Sequence, residues 1–151
     1  MRRHDLDDAE PVLSPEALLA AISGHLDAAT PLVGWARELG GLHAARMSEQ
    51  ADPIDFDAAT EIARIVAAID SWAELHMRRN PDARKETHSL GEVFSRVAGT
   101  YVQARWTVLH PVDDQVQRAA WLELGEAQEG YGRLVADIDA RRYPAGAQRN
   151  P

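Results

Sequence analysis

The sequence predicts an all-α protein, an antiparallel up-and-down bundle of four long helices preceded by a shorter N-terminal helix. Three observations favour this fold class. The 151 residues include 26 Ala and 15 Arg, which are both strong helix formers, whereas aromatic residues make up only 6%. Apolar residues recur every three or four positions within each long segment. The connections between these segments are short, so we expect successive helices to pack antiparallel.

The first two helices each begin with a capping residue followed by a proline. Ser14-Pro15 predicts a first helix that ends near Ala29, and Thr30-Pro31 predicts the start of a second. The second helix contains Gly40-Gly41, and each glycine destabilises a helix interior by about 1 kcal/mol relative to alanine. This pair therefore predicts a kink or a close helix crossing.

The other three helices are predicted from similar signals. Asp52-Pro53 predicts the start of the third helix. Ser89 and Glu92 form a capping box at the start of the fourth, and Pro111 ends that helix. Either aspartate of Asp113-Asp114 is a suitable N-cap for the last helix.

Polar segments flank the predicted bundle. Residues 14–142 are expected to form a single helical-bundle domain, with a disordered acidic tail at 1–13 and a second disordered tail at 143–151. Arg2 and Arg3 are not followed by the apolar segment that a secretory signal needs. No apolar run approaches the roughly 20 residues of a membrane-spanning helix. We therefore expect a cytoplasmic protein without membrane contact.

The chain is acidic and contains no cysteine. It has 24 Asp and Glu residues against 16 Lys and Arg residues, which gives a formal charge of −8. Because neutralising phosphates requires a surplus of cations, we expect no nucleic-acid partner. The lack of cysteine excludes disulfides, thiolate zinc sites and iron–sulfur clusters, and we expect no cofactor. The bias towards alanine and arginine is typical of a GC-rich bacterial genome.

Residues 78–88 form the only basic stretch of the chain. Its cations are Arg78, Arg79, Arg84 and Lys85. Such a segment can bind a phosphate or an acidic partner through paired hydrogen bonds, and we add Arg96 in the following helix to these anion- or partner-binding candidates. The alternative interpretation is structural. The first two cations complement the dipole at the end of the third helix, and the other two are solvated loop charges.

Histidines raise the possibility of a metal or acid–base site, although no spacing here matches a known metal motif. The weak candidates for metal ligands are His43, His76, His88 and Glu92. His88 and Glu92 share a helix face if the fourth helix extends back to residue 88, but the capping box explains Glu92 equally well. His43 and His76 form either a buried acid–base pair or two half-buried histidines with one hydrogen bond each. We assign no metal site and no catalytic residue.

Three tryptophans are candidate interface residues: Trp72, Trp106 and Trp121. Amphipathic aromatic side chains are favoured where a surface is partly buried, so these residues are suited to a contact with a second copy of the chain. The alternative is that they pack in the core of an alanine-rich bundle. The sequence leaves both interpretations open.

Three short segments resemble a known family. Residues 86–97 (ETHSLGEVFSRV) are similar to the Thr-Glu-Thr-Leu-Gly, apolar pair, Asp-Arg-Leu signature of the bacterial domain-of-unknown-function family 4254. Residues 65–72 (IVAAIDSW) resemble its Ile-Asp-x-Trp helix end, and residues 42–46 (LHAAR) resemble its Leu-His-x-x-Arg element. Here Ser95 precedes Arg96, where the family tends to have Asp. The resemblance covers roughly residues 15–142 and implies an α-helical domain with no established activity, and it supplies no catalytic residues.

These features predict a non-catalytic protein-binding or self-associating module, with a protein partner or a homodimer. Neither a Gly-x-Ser-x-Gly elbow nor a glycine-rich phosphate loop occurs in the sequence. An alternative of a different class is a metal- or anion-dependent enzyme with a histidine and carboxylate site in the bundle. A third is an acidic inhibitor that mimics nucleic acid, although arginines are interleaved with the acidic residues.

Overall fold

The computed structural model describes residues 12–27, 30–48, 54–76 and 89–142. The helices in these ranges are α1 (Pro15–Ile22), α2 (Pro31–Ser48), α3 (Ile54–His76), α4 (Leu90–Leu109) and α5 (Asp114–Arg142). The prediction of an all-α fold with four long helices and a shorter first one is confirmed, because the described part of the chain contains no strand. None of the helices described is long and apolar enough to cross a membrane.

Helix α4 lies at the centre of the bundle and packs against each of the other four helices. It runs antiparallel to α5, because Phe94 near its start contacts Tyr131, whereas Thr107 near its end lies beside Gln117. Helix α5 packs mainly on α4 and to a lesser extent on α1, while α2 packs against α1, α3 and α4. The bundle is therefore organised around one helix that all the others share.

Hydrogen bonds confirm the predicted helix starts at three capping residues. The hydroxyl oxygens of Ser14, Thr30 and Ser89 each accept a bond from the amide three residues later, at 3.1, 3.4 and 2.9 Å respectively. These bonds satisfy amides that have no partner within their own helices. The predicted start at Asp52-Pro53 lies outside the described residues.

The first helix is shorter than the sequence predicts, since it ends at Ile22 and the expectation of an end near Ala29 is wrong. Gly24 has a φ of +84°, and the amides of Gly24 and His25 donate to carbonyls in the last turn of α1 at 3.1 and 2.8 Å. This Schellman arrangement ends a helix at a left-handed glycine. Leu26 continues the apolar spacing and packs against the core, but from outside the helix.

Two glycines allow close helix crossings. A Cβ on Gly40 of α2 would lie 2.5 Å from the carbonyl oxygen of Ile22, the last residue of α1. A Cβ on Gly91, in the first turn of α4, would overlap the carbonyl oxygen of Val66 in α3 and lie 2.9 Å from its Cα. Gly41 faces open space. The close crossing predicted for the glycine pair is therefore confirmed at Gly40, and the sequence analysis missed the one at Gly91.

A side chain of α3 holds the start of α4 at the Gly91 crossing. The Gly91 amide donates a hydrogen bond of 2.8 Å to Oδ1 of Asp70. Asp70 lies one turn after Val66, so its carboxylate reaches the helix N-terminus, where amides lack partners and negative charge is stabilising. The crossing thus combines close backbone contact with a cap from the neighbouring helix.

The core lies between α4 and its neighbours. Its largest fully buried side chains are Tyr131, Phe94, Leu18, Leu32, Leu39, Ile69, Val33 and Val97. The rings of Phe94 and Tyr131 meet edge to face, with centroids 5.6 Å apart. This geometry is favourable for aromatic pairs, and it joins α4 to α5 at the middle of the bundle.

Residues before α1 also belong to the folded domain. Val12 is only 6% exposed, and Leu13 packs against the core. The Tyr131 hydroxyl donates a hydrogen bond of 2.6 Å to the Leu13 carbonyl, and burial raises the pKa of that hydroxyl. A buried hydroxyl needs a hydrogen-bond partner, and the Leu13 carbonyl is that partner for Tyr131. The folded domain therefore extends at least two residues before the predicted boundary at Ser14. The rest of the predicted N-terminal tail and the tail at 143–151 lie outside the described residues.

We expect Gly91→Ala to lower the free energy of unfolding by about 1–3 kcal/mol, because α3 and α4 must separate to admit the methyl group. Urea denaturation followed by circular dichroism measures this change. Gly41→Ala is the matched control, because Gly41 also lies inside a helix but faces open space. Alanine there should raise stability by up to about 1 kcal/mol. Equal effects of the two substitutions would contradict the close crossing.

Candidate functional site

An open groove of about 740 Å³ lies between α2, α3 and α4. Its lining residues are His43, Arg46, Met47, Val66, Glu92, Ser95, Arg96, Gly99, Thr100, Val102 and Gln103. Helix α4 supplies most of them, from positions that recur at helical spacing and therefore share one face. The groove exists because α2 and α3 both pack beside the first half of α4.

The central contact of the groove joins α2 to α4. His43 Nε2 lies 3.0 Å from Ser95 Oγ, which is hydrogen-bond distance. Gly99 lies one turn after Ser95, and a Cβ at that position would approach the imidazole ring to 3.2 Å. The missing side chain at Gly99 therefore leaves room for the His43 ring against α4.

His43 is held in its neutral form at neutral pH. Burial lowers the pKa of its imidazole below the usual value, and the positive charge of Arg46 lowers it further. The hydrogen bond to Ser95 consequently joins two uncharged groups. Either group can be the donor, depending on the tautomer of the imidazole.

Two arginines and one glutamate bring charge to the groove. Arg46 comes from α2, whereas Glu92 and Arg96 come from α4. Glu92 and Arg96 are four residues apart, a spacing that permits an ion pair on a helix. In the part of the chain that the structure describes, the Arg96 guanidinium nevertheless makes no hydrogen bond or ion pair. Among the described residues that line the groove, two are arginines and one is a glutamate, on a chain with a net charge of −8.

The geometry is better suited to binding than to covalent catalysis. A serine bonded to a neutral histidine resembles the nucleophile and general base of hydrolases. Ser95 lies in the interior of α4, however, where the backbone amides are used in helical hydrogen bonds and cannot form an oxyanion hole. What the groove does offer is donors: the guanidinium of Arg96, the hydroxyl of Ser95 and the amide of Gln103.

Three of the candidate residues from the sequence come together in this groove: His43, Glu92 and Arg96. His76 is not among them. It is the last residue of α3, and its ring stacks on Trp72 with centroids 4.4 Å apart. Its Nδ1 lies 2.9 Å from the Trp72 carbonyl oxygen. The structure thus places His43 in the groove and His76 in an exposed position at the end of α3, and it describes no contact between the two histidines.

Several candidates fall outside the described residues. These are His88 and the basic residues Arg78, Arg79, Arg84 and Lys85. Their predicted roles in metal, anion or partner binding stay predictions. Within the described ranges, no three His, Asp or Glu side chains cluster in a way that would hold a metal ion.

The three candidate interface tryptophans lie in different environments. Trp72 is 7% exposed and belongs to the core. Trp106 is half-buried, and its ring stacks on His110 with centroids 4.1 Å apart. Trp121 is 45% exposed on α5. Trp72 is therefore covered by its own chain, whereas Trp106 and Trp121 keep exposed surface, and the predicted interface stays a prediction.

Sequence reasoning did not single out Ser95, Gly99 or Thr100 as site residues. A signal for them is nevertheless present. The groove positions 92, 95, 96, 99, 100 and 103 form a stripe on the face of α4 opposite the apolar one. Such a stripe is indistinguishable from an ordinary solvated face until α2 is known to pack beside it.

No family model, curated protein or solved structure matches the chain. The three segments that resemble family 4254 each contribute to the groove. They supply His43, Arg46, Val66, Glu92, Ser95 and Arg96. The resemblance itself stays a prediction.

His43 makes the stability of the domain depend on pH. Its pKa is about 6.5 in an unfolded chain and lower in the folded one. As the pH falls through that range, the unfolded state binds more protons, so the free energy of unfolding decreases until the lowered pKa is passed. His43→Gln removes this contribution. We expect the stability of the wild type relative to this variant, measured by urea denaturation, to fall as the pH is lowered through the ordinary histidine pKa of 6.5. A constant difference would contradict the lowered pKa.

Proposed function

We propose that this chain is a non-catalytic protein-binding module that associates with a second copy of itself through the α4–α5 hairpin. The positions of exposed apolar side chains support the proposal. Among the described residues, the large exposed apolar side chains are Leu75, Val108, Leu109, Val116, Trp121 and Leu122. Five of these six lie on the hairpin, between residues 108 and 122. Single exposed apolar residues are common, but a concentration of them is typical of an interaction surface.

The charges around Leu122 favour a second copy as the partner. Leu122 is 63% exposed, with Arg118 one turn before it and Glu126 one turn after it, both exposed. The three side chains share the outward face of α5 because they are spaced by four residues. When two α5 helices pack antiparallel about a two-fold axis at Leu122, Arg118 of each copy faces Glu126 of the other. This arrangement forms two ion pairs and buries both leucines.

The position of α5 in the bundle leaves this face available. Helix α5 packs mainly on α4, and it reaches the rest of the bundle through a smaller contact with α1. Gly125 lies beside Leu122 on the outward side, and a Cβ there would meet no atom within 4 Å. A neighbouring helix can therefore approach α5 closely at the proposed axis.

Membership of family 4254 is part of the proposal. It is supported by the three short segments that resemble the family, which are distant in sequence and meet at one groove. The function does not depend on this membership, because the self-association surface lies on a different part of the molecule.

Leu122→Glu should convert a dimer into a monomer, because the new carboxylate would be buried in an apolar contact. Sedimentation equilibrium over the micromolar range measures the change in mass. Leu75→Glu is the matched control: Leu75 is 73% exposed on α3, away from the hairpin. This variant should remain dimeric. A wild type that is monomeric throughout the range, or a dimer lost only in Leu75→Glu, would overturn the proposal.

Charge reversal tests the antiparallel register. Arg118→Glu and Glu126→Arg each place like charges together across the two-fold axis, so each should raise the dissociation constant by about fivefold or more. The double variant recreates both ion pairs with opposite polarity, and it should restore the affinity. A double variant that binds more weakly than either single variant would exclude the proposed register.

A further inference from the structure

The groove between α2, α3 and α4 lies apart from the proposed self-association surface, and it has the size of a small-molecule site. Its volume of about 740 Å³ is within the range of about 300–1,000 Å³ that such sites occupy. Residues of three helices line it. It therefore depends on the packing of the bundle and is not a feature of one helix surface.

The charge of the groove favours an anion. Among its described lining residues, Arg46 and Arg96 are cationic and Glu92 is acidic. Because Arg96 makes no ion pair with Glu92 or with any other described residue, a ligand can bind its guanidinium without displacing a partner. Guanidinium groups bind carboxylates and phosphates through two parallel hydrogen bonds.

The His43–Ser95 pair supplies a further donor. When His43 Nε2–H donates to Ser95 Oγ, the serine hydroxyl hydrogen is free to donate to a ligand. Burial and the charge of Arg46 lower the pKa of His43, so the imidazole keeps the single ring proton that this arrangement uses. A bound anion beside Ser95 therefore selects the tautomer in which His43 is the donor.

The remaining walls of the groove are partly apolar. Met47 comes from α2, Val66 from α3 and Val102 from α4. Apolar walls with a few placed polar groups are typical of sites for small organic ligands. A simple inorganic ion would not pack against these apolar walls.

We propose that this groove binds a small organic anion, whose carboxylate or phosphate group contacts the Arg96 guanidinium and the Ser95 hydroxyl. The apolar part of the ligand packs against Met47, Val66 and Val102. Glu92 disfavours ligands that carry several negative charges along their length, because it would face them across the groove. This site is independent of the proposed dimer, so either proposal can fail without the other.

The test uses three probes of similar shape: phenyl phosphate, benzoate and the neutral benzyl alcohol. Isothermal titration calorimetry on the full chain should show saturable binding of at least one of the two anions and none of benzyl alcohol. Tighter binding of phenyl phosphate assigns the site to phosphate ligands, and tighter binding of benzoate assigns it to carboxylates. Absence of binding by both anions, or equal binding of the alcohol, overturns the proposal.

Substitutions test whether the anion binds in the groove. Arg96→Gln should weaken the preferred anion by about tenfold or more, because it removes charged hydrogen bonds. Ser95→Ala should weaken it less, since a neutral donor contributes less. Arg105→Gln is the control, because Arg105 is exposed on the same helix and does not line the groove. A loss of affinity in Arg105→Gln equal to that in Arg96→Gln overturns the proposal, provided that circular dichroism shows both variants folded.

Discussion

The close approach of α4 to α3 at Gly91 is the constraint on which the rest of the structure depends. With no Cβ at Gly91, the first turn of α4 lies directly against the backbone of Val66, and Asp70 caps the amide of that turn. This contact sets the position of α4 relative to α3, and α4 is the helix on which every other helix packs. A residue of ordinary size at Gly91 would displace the centre of the bundle and not merely one contact on its surface.

The position of α4 determines which residues and helices lie on each of its two sides. On one side, the ring of Phe94 contacts the ring of Tyr131 in α5. The Tyr131 hydroxyl donates to the Leu13 carbonyl, so this one side chain links α4, α5 and the segment before α1. On the other side, the polar positions of α4 face α2, where His43 bonds to Ser95. Helix α5 is attached mainly through α4, which leaves its outer face in solvent. A single central helix thus separates the groove, where we propose that a small anion binds, from the outer face of α5, where we propose that a second copy of the chain docks.

The helices could be predicted from the sequence, whereas their packing could not. Caps at Ser14, Thr30 and Ser89 act on amides three residues away, so local sequence is sufficient to locate them. The predicted end of α1 differs from the observed one because apolar spacing continues to Leu26. The feature that ends the helix is nevertheless local, since Gly24 adopts a left-handed conformation. The role of Gly91 depends on a backbone 25 residues away in the chain, and no local pattern reports such a contact. The candidate site could be predicted in part, since His43, Glu92 and Arg96 are candidates from the sequence alone. The role of Ser95 could not be predicted, because it depends on the packing of α2 beside α4.

The most direct test of the Gly91 crossing is the proximity of Gly91 and Val66 in solution. Nuclear Overhauser effects between the α protons of Gly91 and the protons of Val66 report this distance in the unmodified protein. The close crossing predicts strong effects from Gly91 to both the α proton and the Cγ1 methyl group of Val66, with slow exchange of the Gly91 amide that Asp70 binds. A folded, helical chain that shows no such effects would contradict the arrangement of α3 and α4, and with it the origin of the groove.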